Sequence, residues 1–339
     1  RMARDLDLIR PQVDRIVEIK DAKSQSFKGN YDAYLKQNAV STGSQMNEFE
    51  MIEKRIVNLK AKVIEYQRLK EKSRNPSTIQ RFKRLEEQSR KELADLQTKE
   101  KPTFWIDKES AADLNYKTAN QYQKFKAKNV RINLKNNESR SKHVLVAARG
   151  LSIGYGTPLF SDVDIDLREG EALEFRGRNG AGKTTLIKAI LGDQSVTTYS
   201  GELTIDKHAR IGVYEQEVSP TYFDLPLEQA IEQMHRDRGL DITTTKIRSL
   251  MSDYLFTESD GKVPIARLSG GQKARFQLIA MLANDPQLLI LDEPTNHLDL
   301  PSIEELETAL AKYTGAVIFV SHDDYFRNKL GAELLQIGA

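Results

Sequence analysis

Gly177-Arg178-Asn179-Gly180-Ala181-Gly182-Lys183-Thr184-Thr185 decides the fold of this 339-residue chain. The run before it, Glu171-Ala172-Leu173-Glu174-Phe175-Arg176, reads as a strand, and Leu186 to Leu191 continue at helical period. A glycine loop between a strand and a helix, spaced G-x-x-x-x-G-K-[ST], lets successive backbone N–H groups close on a polyphosphate at the positive end of the helix. Gly177, Asn179, Gly180, Gly182 and Thr185 would line that cradle. Lys183 would hold the β- and γ-phosphates, and the Thr184 hydroxyl would ligate Mg²⁺.

Three further stretches extend the same chemistry. Pro286-Gln287-Leu288-Leu289-Ile290-Leu291-Asp292-Glu293 is an apolar strand ending in two acids, about 110 residues beyond the glycine loop. A buried parallel strand delivers its C-terminal residues to the site crevice. There Asp292 would hold Mg²⁺ directly or through a water, and Glu293 would orient and deprotonate an attacking water. Ser269-Gly270-Gly271-Gln272 opens another helix, so a second set of glycine N–H groups can meet an anion. Val317-Ile318-Phe319-Val320 is a further buried strand, ending in Ser321-His322-Asp323, and His322 could contact the γ-phosphate or the water.

Composition closes off other chemistries. The absence of cysteine excludes disulfides and thiolate metal sites. His143, His208, His235, His297 and His322 show no ligand spacing, which argues against a transition-metal site. No charge-free apolar run approaches the length of a membrane span and no signal-peptide core is visible, so the expected location is the cytoplasm. The net charge of +2 hides a polarity along the chain. Residues 51–140 carry 23 Lys and Arg against 12 Asp and Glu, whereas residues 141–339 carry 20 against 29. A basic segment on an otherwise acidic chain suits an acidic partner such as nucleic acid.

That basic segment is helical. Phe49, Ile52, Ile56, Leu59, Val63 and Tyr66 are spaced 3, 4, 3, 4, 3, a coiled-coil seam. Ser73-Arg74-Asn75-Pro76 breaks it, with Asn75 suited to an N-cap and Pro76 to the first turn of a second helix. That helix is expected to run to about Lys99, its stripe of Ile79, Phe82, Leu93 and Leu96 interrupted by Glu86 and Ser89. An antiparallel hairpin results, with arms of roughly 27 residues and a reach of ~40 Å. Around its turn, residues 68–91 carry nine basic residues against three glutamates. Tyr122, Phe125 and Val130 with Lys124, Lys126, Lys128 and Arg131 make a basic-aromatic patch, whose aromatics are expected to pack against the neighbouring domain. Residues 135–142 read as a linker.

The first residues resemble the last. Placing Ala3-Arg4-Asp5 on Ser321-His322-Asp323 without gaps puts Ile16-Val17-Glu18-Ile19 on Leu334-Leu335-Gln336-Ile337, so one unit occurs twice. The expected organisation is the tail of an upstream domain at 1–38, a helical hairpin linker at 39–142 and a nucleotide-binding domain at 143–339. The chain would then be part of a longer protein.

The ordered motifs resemble those of the ATP-binding-cassette (ABC) ATPases over residues 141–339. The resemblance makes Gly177 to Thr185 the Walker A loop, Gln216 the Q-loop residue and a further Mg²⁺ contact, and Leu268 to Gln272 the signature. It makes Asp292-Glu293 the end of Walker B, His297-Leu298-Asp299 the D-loop and His322 the switch, and it puts Tyr155 where the family stacks an aromatic on adenine. It implies an α/β P-loop fold, with a mixed sheet core and antiparallel β and helical subdomains.

Glu293 to Asp299 and Phe27-Lys28-Gly29-Asn30-Tyr31-Asp32-Ala33-Tyr34 are similar to the ABC-F class of translation factors, whose two cassettes flank a charged helical hairpin. That class binds the ribosomal exit tRNA site, so rRNA and tRNA become the expected partners of the basic hairpin turn. It builds each ATP site from one cassette's Walker A and the other's signature, so a second cassette is expected as partner and slow turnover from this chain alone. An ATPase subunit of a membrane transporter is the alternative. A chromosome-type ATPase would insert its arm between Walker A and signature, where only about 90 residues of short elements lie.

Overall fold

The computed structural model describes residues 14–20, 23–29, 31–99, 101–106, 108–112, 114, 116–134, 143–215 and 217–338. Two compact units divide between Ala127 and Lys128.

The N-terminal unit begins with an antiparallel pair, β1 (Arg15–Lys20) and β2 (Lys23–Lys28). Ile16, Phe27 and Tyr34 form a small core there, with Phe27 edge-on to Tyr34 at 5.0 Å. The aligned positions at 16–17 and 334–335 are strand in both places, whereas Ala3-Arg4-Asp5 and Leu8 lie outside the described residues. Helix α1 (Tyr31–Lys72) starts earlier than the expected seam, and α2 (Pro76–Gln97) is shorter than its expected arm, reaching about 33 Å at 1.5 Å per residue. Asn75 caps α2, its side chain accepting from Ser77 N–H at 3.0 Å, and Pro76 opens the helix.

The seam holds with two changes. Leu59 and Val63 are buried, and Tyr66 stacks on Phe82 at 6.3 Å. On α2, Glu86 and Ser89 occupy seam positions and are its buried residues. The Glu86 carboxylate accepts from Lys70 Nζ at 2.7 Å and Arg90 Nε at 2.9 Å, so a charge is tolerated in the seam because two cations meet it. At its other end α1 outruns α2. Met46 packs with Phe104, Ile106, Tyr122 and Phe125, and Phe49 lies edge-on to Phe125 at 5.8 Å. Tyr122 and Phe125, on α4 (Tyr116–Phe125), therefore pack against their own unit's long helix rather than a neighbouring domain. The short α3 (Lys108–Ala112) completes this unit.

The C-terminal unit holds two sheets. An antiparallel sheet has the order β4-β3-β6, from β3 (Val144–Tyr155), β4 (Thr157–Arg168) and β6 (Thr197–Ile205). A parallel sheet has the order β10-β5-β9-β8-β7, from β5 (Ala172–Arg176), β7 (Ile211–Tyr214), β8 (Leu288–Asp292), β9 (Ala316–Val320) and β10 (Glu333–Gln336). Every residue of β8 and β9 is buried, as a sheet covered on both faces requires. One core lies between the two sheets with α5 (Lys183–Ile190). The other packs the opposite face against α6 (Leu227–Asp237), α7 (Thr244–Asp253), α8 (Gly270–Leu282) and α9 (Leu300–Leu310), with α10 (Asp324–Leu330) beside it. Val130 and Ile132 are buried in this second core, whereas Tyr122 and Phe125 belong to the small core of the N-terminal unit, so the three do not form one patch. The linker stretch at 135–142 lies outside the described residues.

Candidate active site

Because β5, β9 and β8 are adjacent, their C-terminal ends come together, and the chemistry-bearing residues follow those ends. The loop after β5 fits glycine for two different reasons. A Cβ on Gly177 would meet the Ile337 carbonyl oxygen at 2.3 Å, a close approach of backbone to backbone. Gly180 and Gly182 instead have φ of +83° and +100°, the left-handed region that costs a side chain energy. The turn ends at α5, whose first N–H groups have no partner within the helix. Lys183 Nζ donates to the carbonyls of Gly177 at 2.8 Å and Arg178 at 3.1 Å, so its charge lies across the mouth of the loop.

Opposite the loop, Asp292 ends β8 and Glu293 follows it, both buried. The Thr184 hydroxyl donates to Asp292 at 3.3 Å, which brings the two oxygens expected for Mg²⁺ together. Glu293 leaves the strand at φ +51°, with its N–H donating to the Val320 carbonyl at 2.9 Å. This turn sends its carboxylate toward His322. Glu293 Oε2 accepts from the His322 backbone N–H at 3.3 Å, and Oε1 lies 3.3 Å from His322 Nε2. Among the described residues that buried Oε1 accepts no hydrogen bond.

Burial pushes both carboxyls above the usual carboxylate range. For Asp292 the Thr184 hydrogen bond and the Lys183 charge oppose the rise. For Glu293 the opposing groups are His322 and Lys183, while Asp292 adds to it. A carboxylate with a raised affinity for protons that lines the cavity beside His322 suits a general base.

That cavity, of about 410 Å³, is lined by loop residues, Asp292, Glu293, Asn296, Val320 and His322. It gathers Asn179, Gly180, Gly182, Lys183, Thr184, Thr185 and the acids in one place. Asn296 also lines it, although reading the sequence did not single it out; its place three residues past Glu293 in Glu293-Pro294-Thr295-Asn296 was the available signal. Other predicted residues lie elsewhere. Tyr155, Ser269 to Gln272 and Asp299 are not among the lining residues. Tyr155 is exposed at the end of β3. Ser269 caps α8, and Asp299 caps α9 by accepting from Ser302 N–H at 3.0 Å. Gln216 lies outside the described residues.

Among the described residues no cluster of three His, Cys, Asp or Glu side chains could hold a metal by itself. Thr184 and Asp292 suit a cation that takes few protein oxygens and completes its shell with phosphate and water, as Mg²⁺ does. No helix among the described residues is long and apolar enough to cross a membrane.

Comparison with known proteins points the same way. The family model described as ABC transporter matches residues 160–296. The ribosome protection protein VmlR of Bacillus subtilis (strain 168) is 31% identical over 316 residues, covering 93% of this chain and 55% of that protein. ABC transporter F family member 5 of Arabidopsis thaliana is 28% identical over 330 residues, covering 95% of this chain and 42% of that protein. The chain thus spans about half the length of the curated relatives it matches along its extent. A solved ATP binding subunit of an ABC transporter superposes with a TM-score of 0.50 at 23% identity, over 57% of this chain and 88% of that one, a likeness of fold.

Proposed function

Since the chain is an ABC-F-type ATP-binding-cassette ATPase domain protein, related to bacterial and plant ABC-F proteins, we propose that it works as one jaw of a two-cassette clamp on the ribosome. ATP binding closes the clamp and hydrolysis reopens it. The observation that carries this reading is the pairing of a cassette with a long helical hairpin whose turn remains cationic after its internal ion pairs are made. Lys70 and Arg90 are engaged with Glu86, while Arg68, Lys72, Arg74, Arg81, Lys83, Arg84 and Lys91 stay exposed on the same turn. Phosphate neutralisation by such a turn gives strongly salt-dependent binding to rRNA or tRNA. The similarity to VmlR, a ribosome protection protein, supports the same partner.

In the catalytic step, the loop N–H groups and Lys183 hold the triphosphate, and Glu293 takes a proton from the water that attacks the γ-phosphorus in line while the bond to the β,γ-bridging oxygen breaks and ADP leaves with that oxygen. His322 faces the same carboxylate and orients it through its backbone N–H. Thr184 and Asp292, with Gln216, would hold Mg²⁺, which when bound offsets the negative charge of the phosphates. The signature residues Ser269, Gly270, Gly271 and Gln272 complete the site of a partner cassette, consistent with their lying off this chain's own cavity. Asp299 belongs to the same cassette-to-cassette seam, and Tyr155 supplies a face for adenine.

Ribosome pelleting of the full-length protein with ATP, at two salt concentrations, tests the reading. Co-sedimentation is expected at low salt, weakened by reversal of Arg74, Arg81 and Arg84 to glutamate while ATP affinity is kept. Recovery with membranes instead, or sedimentation unaffected by the reversals, overturns it.

A further inference from the structure

The first turn of α8 is held from outside by a turn that no sequence motif marks. Ser269 and Gln272 form a reciprocal cap: the Ser269 hydroxyl accepts from Gln272 N–H at 3.3 Å, and Gln272 Oε1 accepts from Ser269 N–H at 3.0 Å. A carboxamide has one donor end and one acceptor end, so the cap is made only when Gln272 faces Ser269 with its oxygen. The opposite end is fixed by Asp260, whose Oδ1 accepts from Gln272 Nε2 at 2.9 Å. Its other oxygen accepts from both the N–H and the hydroxyl of Thr257 at 2.7 Å, which anchors the carboxylate in a closed turn. These Thr257 bonds, with Gln272 and the Arg275 charge, hold the Asp260 carboxyl below the usual carboxylate range. It is therefore an acceptor only, and cannot receive Gln272 the other way round.

Arg275, one turn further along α8, ties the same two elements. It donates to the carbonyls of Tyr254 at 3.1 Å and Leu255 at 3.0 Å, and its guanidinium lies 5.0 Å from the Phe256 ring centre. Segment 254–260 and the first turn of α8 are thus tied together, and the sense of one carboxamide sets which signature groups stay available. With Ser269 N–H used in the cap, the Ser269 hydroxyl hydrogen and the Gly270 and Gly271 N–H groups are the donors that remain.

We propose that Asp260 is a positioning residue of the signature, fixing the sense of Gln272 so that Ser269, Gly270 and Gly271 present their donors to a triphosphate bound by a second cassette. This rests on the reading of the signature as a site completed between cassettes. The proposal differs from a plain helix cap in one respect. Glutamate caps as well as glutamine at this position, so a cap alone tolerates Gln272→Glu. The Asp260 clamp does not, because Gln272→Glu sets one carboxylate against another.

The test is steady-state ATP turnover by the full two-cassette protein, with thermal melting to establish that each variant is folded. Ser269→Asp keeps an N-cap but turns a carboxylate toward the phosphate. Its expected result is a loss of tenfold or more in kcat, and unchanged turnover overturns the between-cassette reading and the proposal with it. Given that loss, Gln272→Glu is expected to lower kcat fivefold or more with little change in KM, and Asp260→Asn in the same protein to restore it to within about twofold. Turnover of Gln272→Glu equal to wild type, or no restoration by Asp260→Asn, overturns the role of Asp260 while leaving the between-cassette reading in place.

Discussion

Glu293 Oε2 accepts a hydrogen bond from the backbone N–H of His322 at 3.3 Å, joining the turn after β8 to the turn after β9. The contact needs the left-handed backbone of Glu293, since an extended residue there would continue the strand. It leaves Oε1 buried, without a hydrogen bond among the described residues and 3.3 Å from His322 Nε2. One carboxylate is thereby tethered through one oxygen and meets the His322 imidazole with the other.

Glu293→Gln keeps the tether, because the amide oxygen still accepts from His322, but removes the base. ATP affinity is expected to stay within about twofold while hydrolysis falls by roughly 10²- to 10⁴-fold, the usual worth of a positioned base. Nucleotide binding and single-turnover hydrolysis by the two-cassette protein check this, with accumulation on ribosomes as a second readout. Faster turnover than wild type removes Glu293 from the role.

The pH dependence follows from the environment of the same group. Burial, the largest influence, raises the affinity of Glu293 for its proton, aided by Asp292 and opposed by His322 and Lys183. The active form is the deprotonated one, so turnover falls as pH drops through a value above the ordinary glutamate range of about 4.3. His322→Ala removes an opposing group and is expected to move that acid limb to still higher pH. A kcat profile between about pH 3.5 and 9 reads both; a limb at the ordinary glutamate value contradicts the assignment.

Two glycines of the loop should fail differently. Gly177→Ala drives a Cβ against the Ile337 carbonyl, and is expected to cost about 1–3 kcal/mol and to abolish nucleotide binding. Gly180→Ala faces open space but sits at φ +83°, and is expected to cost about 1–2 kcal/mol with weakened binding only. Thermal melts and equilibrium nucleotide titrations of the two variants separate close approach from backbone strain.

Met46→Ala should loosen the base of the hairpin without touching the nucleotide site. Met46 is fully buried among Phe104, Ile106, Tyr122 and Phe125, so truncation is expected to cost about 2–5 kcal/mol in that unit. Hydrogen exchange should rise over residues 101–127, with ATP affinity unchanged. Unchanged exchange there shows that the small core does not hold the segment.

Much of this protein is set by short-range chemistry and so is legible in the sequence. The spacing of Gly177, Gly182 and Lys183 fixes a loop and a helix start, and Asn75-Pro76 fixes the hairpin turn, because caps and glycine turns are decided within a few residues. The apolar runs at 288–291 and 316–320 announce strands buried on both faces. What periodicity could not supply is partner choice. Glu86 and Ser89 look like breaks in a stripe, yet they lie in the seam because Lys70 comes within 2.7 Å from the facing helix. Phe49 has the period of that seam but pairs with Phe125, since α1 outruns α2 and meets the segment that follows it. The left-handed turn at Glu293, the placing of Asn296 on the cavity and the grip of Asp260 on Gln272 likewise depend on residues distant along the chain. A sequence specifies which groups are available; only the packed chain decides which donor faces which acceptor, because burial makes an unmatched polar group costly and so selects the pairing.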